Sequence, residues 1–131
     1  MKRVVIFLLM VLAARMASAG EVDPEHFGIW APLGKSCKSE PRIEVSAKEI
    51  VIYHQGRVQR FGDLDEFVDC NSGSAVDSIE TCVVPNRHDQ EIEPFFLAFN
   101  AGEKRGRMMM TVRYKHREQF PDDGFIYRRC R

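Results

Sequence analysis

The sequence predicts an all-β fold, a small antiparallel barrel or sandwich of about seven to eight strands stabilised by disulfides. Short runs rich in β-branched and aromatic residues alternate apolar with polar positions, and Gly, Pro and Asn turn signals separate them. After residue 19, no segment of ten or more residues has the 3.6-residue apolar period of a helix. The 131-residue chain also contains four cysteines, an even number that suits two disulfides in an exported domain.

The N-terminal segment 1–19 has the three-part layout of a secretory signal peptide. Lys2 and Arg3 give a cationic start, an apolar run follows, and Ala17-Ser18-Ala19 forms a small-residue cleavage site. The alternative is a membrane anchor, but the apolar run is shorter than the roughly 20 residues that a spanning helix needs. Cleavage after Ala19 is expected to leave residues 20–131 as a single β domain, in the periplasm or secreted, with no membrane span.

The first half of this domain predicts an antiparallel meander. Residues 21–39 are expected to be irregular, because Pro and Gly recur in them. The runs RIEVS and EIVIYHQ then alternate as strands do, and the short link between them favours a hairpin. Gln55-Gly56 is a turn signal that leads into RVQRF, and the following GDLDEF is predicted to be one helical turn or a tight loop.

The second half predicts four further strands. The first is a strand in the run SIETCVVP, which is expected to end at Pro85. The clearest hairpin in the chain is predicted by the runs PFFLAFN and GRMMMTVRYKH. In its second strand Met108, Met110, Val112 and Tyr114 share one face, which is the expected core stripe. FIYRRC predicts a last strand that closes beside the first part of the sheet and ties the final cysteine to an earlier element.

The four cysteines are expected to form two disulfides. Zinc is the alternative, but no C-x-x-C pair or nearby histidine has ligand spacing. Four cysteines allow three connectivities, and the sequence alone leaves them open. The slightly favoured connectivity pairs Cys37 with Cys70 and Cys82 with Cys130, because it ties the irregular Trp30 segment to the end of the first meander. Pairing of Cys70 with Cys82 would instead frame a closed loop.

Charge is divided unevenly along the predicted domain. Residues 20–93 contain 15 acidic and 7 basic side chains, whereas residues 94–131 contain 4 acidic and 9 basic side chains. Because the whole domain is slightly acidic, nucleic acid is not an expected ligand. The basic C-terminal hairpin is a candidate binding face, with an ordinary solvated pair of strands as the alternative. Its candidate residues are Lys104, Arg105, Arg107, Arg113, Lys115 and Arg117.

Catalytic, metal and cofactor chemistry is not expected. The sequence has no nucleophile elbow, zinc-protease helix, phosphate-binding glycine loop or dinucleotide fingerprint. A small secreted hydrolase that uses His54, His88 or His116 is the least favoured hypothesis, because these residues are widely separated.

A loop in the middle of the chain carries the one family resemblance. Ser72-Gly73-Ser74 lies between two cysteines, and it is similar to the Ser-Gly-Ser-Gly loop of the bacterial periplasmic and membrane-bound inhibitors of C-type lysozyme. The resemblance implies a small antiparallel barrel that inserts the serine loop and a nearby cation between the two catalytic carboxylates of lysozyme. It covers this loop and the general class only, since Ala75 replaces the second glycine and Lys115 is a loose counterpart of the cation. A plain connecting loop is the alternative.

The expected function is therefore binding, not catalysis. The first hypothesis is an exported periplasmic inhibitor of a cell-wall hydrolase such as lysozyme, with Ser72, Gly73 and Ser74 as candidate contacts. The alternative is an envelope-associated structural or interaction module whose basic hairpin binds a partner protein or an anionic polymer. A protein partner is expected in the first case, and the oligomeric state is not predicted.

Overall fold

The computed structural model describes residues 22–68, 75–76, 79–85, 93–100, 104–121 and 124–131. Within these ranges the regular elements are strands and two short 3-10 segments, Pro24–His26 and Tyr114–Gln119. The strands are β1 (Gly28–Pro32), β2 (Arg42–Val45), β3 (Ile50–His54), β4 (Arg57–Phe61), β5 (Leu64–Val68), β6 (Ala75–Val76), β7 (Ile79–Pro85), β8 (Phe95–Phe99), β9 (Arg107–Val112) and β10 (Ile126–Arg129). No helix in the described ranges is long and apolar enough to cross a membrane.

Nine of the strands form one antiparallel sheet that curls into a nearly closed barrel. Their order is β4-β3-β2-β1-β10-β9-β8-β7-β5, and the two-residue β6 pairs with β7 alone. The predicted all-β class and barrel are thus confirmed, with slightly more strands than the expected seven to eight. Two meanders, β1–β4 and β7–β10, meet along the ladder between β1 and β10. The last strand therefore lies beside the first, as expected.

Two of the strands lie in segments whose local sequence did not predict them. β1, in the region expected to be irregular, pairs on both sides, with β2 and with β10. β5, expected to be a helical turn or tight loop, pairs with β7 from Leu64 opposite Pro85 to Val68 opposite Thr81. β1 obtains one of its two partners, β10, from the far side of the sequence, and β5 pairs with β7 across an intervening segment; in both cases the pairing strands lie outside the local pattern.

The methionine stripe of β9 packs into the core as predicted. Met108 and Met110 are fully buried and Val112 is nearly so. The strand ends at Val112, sooner than expected, and Tyr114 begins the second 3-10 segment instead of continuing the stripe. The large buried side chains around this stripe include Trp30, Ile43, Ile50, Ile52, Val83, Phe95, Leu97, Phe99 and Tyr127.

A disulfide joins Cys37 to Cys130, with a Cα–Cα distance of 6.0 Å and a sequence separation of 93 residues. The slightly favoured pairing of Cys37 with Cys70 and of Cys82 with Cys130 is therefore wrong. The reason is topological: β10 pairs with β1, and the Cys130 amide donates to the Ile29 carbonyl at 2.7 Å, which holds Cys130 beside the segment that carries Cys37. Cys82, in β7, is also disulfide-bonded, and Cys70 lies outside the described residues.

Candidate functional site: a cationic groove

A groove of about 700 Å³ lies where the connection from β8 to β9 meets the C-terminal end of β10. Of the nine lining residues in the described part of the chain, six are lysine or arginine and none is acidic. The lining consists of Cys37, Lys104, Arg105, Gly106, Arg107, Arg128, Arg129, Cys130 and Arg131. A concave surface lined by charges of one sign concentrates the local field, so this groove attracts anions although the chain as a whole has no net charge.

The turn before β9 places three of these cations together. Gly106 has a φ of 75°, a left-handed conformation that glycine adopts without steric cost. The Arg107 amide donates to the Lys104 carbonyl at 3.3 Å, and this closes the turn. Lys104, Arg105 and Arg107 are therefore held within a few residues of one tight bend.

The ladder between β9 and β10 adds a pair of like charges. Arg107 lies directly opposite Arg128 in the antiparallel register, an arrangement that destabilises a sheet. The Arg128 guanidinium donates to the Lys35 carbonyl at 3.1 Å, which fixes its position but leaves its charge uncompensated by that contact. The repulsion between the two arginines is relieved when an anion lies between them.

Arg129 stands at the mouth of the barrel, opposite Trp30 on β1. Its guanidinium donates to the Glu25 carbonyl at 2.6 Å and so connects β10 to the N-terminal 3-10 segment. Gly28 lies beside this side chain with a φ of 131°, a backbone conformation that residues with a side chain rarely adopt, while a Cβ there would make only an ordinary contact with Arg129 Cγ at 3.6 Å. The neighbouring wall of the groove contains the Cys37–Cys130 disulfide, which ties the loop after β1 to the end of β10.

A smaller cavity of about 200 Å³ adjoins the groove, because Arg105, Gly106 and Arg129 line both. Its other lining residues are Glu25, His26, Trp30, Phe99 and Asn100.

His26 is the buried titratable group of this cavity. Its imidazole stacks on the Phe99 ring, with 3.9 Å between the ring centroids and 12° between the planes. Burial lowers the pKa of His26, and the nearby Glu25 and Asp23 carboxylates oppose that shift only in part. The ring is therefore neutral at pH 7.

The structure separates the basic residues that the sequence placed on one face. Lys104, Arg105 and Arg107 line the groove, whereas Arg113 and Lys115 follow the opposite end of β9, roughly 20 Å away at about 3.3 Å per residue. Arg113 instead lies 3.8 Å from a Glu93 carboxylate oxygen. The hairpin as a whole is thus not one basic face.

Sequence reasoning missed Arg128, Arg129 and Arg131 as site residues. The signal was present, since FIYRRC and the final arginine put three cations into the last four residues of the chain. What was lacking was the register that sets β10 against β9. Ser72, Gly73 and Ser74 lie outside the described residues.

The histidines of the hydrolase hypothesis lie away from the groove. His54 lines a separate cavity of about 470 Å³ with Arg117 and Phe120, and the His116 ring meets the edge of Phe120 at 6.4 Å between centroids. His88 is outside the described residues. In the part of the chain that the structure describes, no three His, Cys, Asp or Glu side chains form a group that could hold a metal ion.

Comparison with protein-family models, with curated proteins and with solved structures finds no match to this chain.

Proposed function

We propose that this chain is an exported binding protein that holds an anionic polymer of the cell envelope in the cationic groove. One observation carries the proposal: six cationic side chains line a single concavity, and none of its lining residues that the structure describes is acidic. Arginine forms paired hydrogen bonds with phosphate and carboxylate groups, so this lining suits a chain bearing either group. The protein acts on such a polymer by binding it, without chemical conversion.

Export is part of the proposal and has its own support. The N-terminal segment 1–19 has the composition of a signal peptide. Cys37 and Cys130 are joined by a disulfide, and the described cysteines include no free thiol. Structural disulfides persist in oxidising compartments such as the periplasm or the extracellular medium, and they are rare in the cytosol. Edman sequencing of protein recovered from the periplasm or medium is expected to begin at Gly20.

The binding test uses oxidised protein with linear inorganic polyphosphate and with poly-glutamate, over a range of salt concentrations. Affinity is expected to fall linearly on a plot of log K against log salt, because each neutralised contact releases counterions. The groove variant replaces Lys104, Arg107 and Arg131 with serine. Each contact with a single-stranded polyanion contributes about 0.7 to the magnitude of the slope, so the loss of three cations is expected to reduce that magnitude by about 2.

A matched variant provides the control. It replaces Arg57, Arg113 and Lys115 with serine, which removes the same number of charges from positions outside the groove. Its slope is expected to stay near that of the unaltered protein. Equal losses in the two variants would show that net charge and not the groove determines binding, and absence of binding to both polymers would overturn the proposal.

Inhibition of a cell-wall hydrolase is the second proposal. It is supported by the all-β, disulfide-bonded barrel, which is the fold class that the Ser-Gly-Ser resemblance implies. The loop Ser72 to Ser74 itself stays a prediction. Lysozyme activity is to be measured with micromolar oxidised protein and with a variant in which Ser72 and Ser74 are both alanine. Unchanged activity of C-type lysozyme in the presence of the unaltered protein would contradict this second proposal.

A further inference from the structure

The cavity of about 200 Å³ beside the groove is too small for a whole ligand. Pockets that enclose drug-sized molecules measure roughly 300 to 1,000 Å³. This cavity therefore has room for one small group, and its shared lining with the groove lets that group belong to a larger molecule lying outside it.

His26 gives this cavity an unused polar atom. The residue is 3% exposed, and its buried Nε2 atom has no hydrogen-bond partner among the residues that the structure describes. The nearest carboxylate oxygen, Glu25 Oε1, is 3.6 Å away, beyond hydrogen-bond distance. A buried nitrogen without a partner is costly, and a structure that retains one calls for an explanation such as a ligand.

The remaining walls favour an oxyanion. Arg105 and Arg129 contribute guanidinium groups, which bind carboxylate or phosphate oxygens in pairs. Glu25 opposes an anion, but its side chain is 57% exposed and so lies at the rim. The opposite wall is aromatic, formed by Trp30 and by Phe99, and offers no further charge.

We propose that this cavity binds the terminal oxyanion, a carboxylate or a phosphate, of the polymer whose internal charges lie along the cationic groove. The inference rests on the proposed function and adds to it that the protein recognises chain ends. An end group enters the cavity and accepts a hydrogen bond from His26 Nε2. An internal phosphate has chain on both sides, and an internal carboxylate is carried on a backbone that continues on both sides, so these groups stay in the groove.

Two signals report on the cavity without any substitution. Trp30 is the sole tryptophan of the chain and lines the cavity but not the groove, so a group that enters the cavity changes its fluorescence by direct contact. An oxyanion beside His26 also stabilises the charged imidazolium, so the pKa of His26 rises on binding. The imidazole proton resonances follow that change as the pH is varied.

The experiment compares probes with and without free ends. Linear hexaphosphate is paired with cyclic hexametaphosphate, and hexaglutamate with a free C-terminal carboxylate is paired with the C-terminally amidated peptide. The linear phosphate and the free peptide are each expected to bind about tenfold or more tightly than their partners, as for one charge-assisted hydrogen bond. Preference within only the phosphate pair or only the peptide pair identifies which oxyanion the cavity takes and supports the inference.

Two variants distinguish binding in the cavity from binding in the groove. They also show whether the preference for a free end arises only from its extra charge. His26→Phe keeps an aromatic ring to stack on Phe99 and removes Nε2; it is expected to abolish the preference for free ends and leave binding of the cyclic probe unchanged. His54→Phe, in the other cavity, is the matched control and is expected to keep the preference.

Equal binding of both members in each pair, or an end preference that survives in His26→Phe, would overturn this inference while leaving the groove proposal intact. Failure of all four probes to bind would overturn both. Should His26→Phe not fold, Trp30 fluorescence and the His26 titration in the unaltered protein decide the matter. Signals that respond equally to linear and cyclic phosphate then count against the end site.

Discussion

Replacing both Cys37 and Cys130 with serine removes the covalent link beside the ladder that joins the two meanders. In the chain-entropy description, a cross-link spanning 93 residues lowers the entropy of the unfolded chain by about 16 cal/mol/K. At 25 °C this corresponds to about 4.7 kcal/mol of stability, a large part of the roughly 5 to 15 kcal/mol that holds a domain folded. The variant is therefore expected to unfold at much lower urea concentration than the oxidised protein.

Urea unfolding followed by Trp30 fluorescence measures this loss. The Cys37→Ala/Cys130→Ala variant is the control, because it removes the same link without introducing hydroxyl groups; the two variants are expected to agree closely. Both cysteines line the groove, so affinity for linear polyphosphate is expected to fall as well. A stability loss below about 1 kcal/mol in both variants would refute the argument that this disulfide restricts the unfolded chain.

Four further predictions concern single side chains. Because the pKa of His26 is lowered in the folded protein, the unfolded chain takes up the proton first, and the unaltered protein is expected to lose stability as the pH falls through 6.5, at up to about 1.4 kcal/mol per pH unit. His26→Phe is expected to remove this loss. Plots of unfolding free energy against pH that run parallel for the two proteins would contradict this. Burial raises the pKa of Glu66, so the carboxylate opposes folding at neutral pH, and Glu66→Gln is expected to be more stable at pH 7 with a difference that vanishes as the pH falls to 4.5. Met110→Ala is expected to lower the free energy of unfolding in urea by about 2 to 5 kcal/mol, and Met109→Ala, on the outer face of the same strand, by much less. Similar losses in the two variants would contradict the assignment of Met110 to the buried face. Gly28→Ala is expected to lower the thermal midpoint, because alanine rarely adopts a φ of 131°.

Much of the barrel is predictable because alternation is a local property. The runs that became β2 and β9 carry apolar residues at every second position and so indicate their own buried face, and those that became β3 and β8 are nearly continuous apolar runs of strand length. β4 is signalled by the Gln55-Gly56 turn before it. β1 and β5 carry no such signal. β1 contains Gly28 and Pro32, and one of its two neighbours, β10, is far away in the sequence, so its identity depends in part on a pairing that no local pattern shows.

The candidate site was only half predictable for a related reason. Lys104, Arg105 and Arg107 stand close together in the sequence, and a cluster of this kind is visible without a structure. Arg128 and Arg129 join them through the register of β10 against β9, which depends on the fold. The same lack of register led to the wrong disulfide pairing, since only the contact between β1 and β10 brings Cys130 beside the segment of Cys37.

The ladder between β1 and β10 has a consequence for the order of folding. Hairpins within each meander close short loops and form in microseconds, whereas this ladder joins the two ends of the domain and forms after them. Hydrogen exchange during refolding is expected to protect β2 and β3 before β1 and β10. Because β10 follows all the other described strands in the sequence, the barrel is complete only once this segment has paired with β1. The cationic groove, which needs Arg128 and Arg129 of this strand, is therefore expected to form late in folding, together with the ladder between β1 and β10.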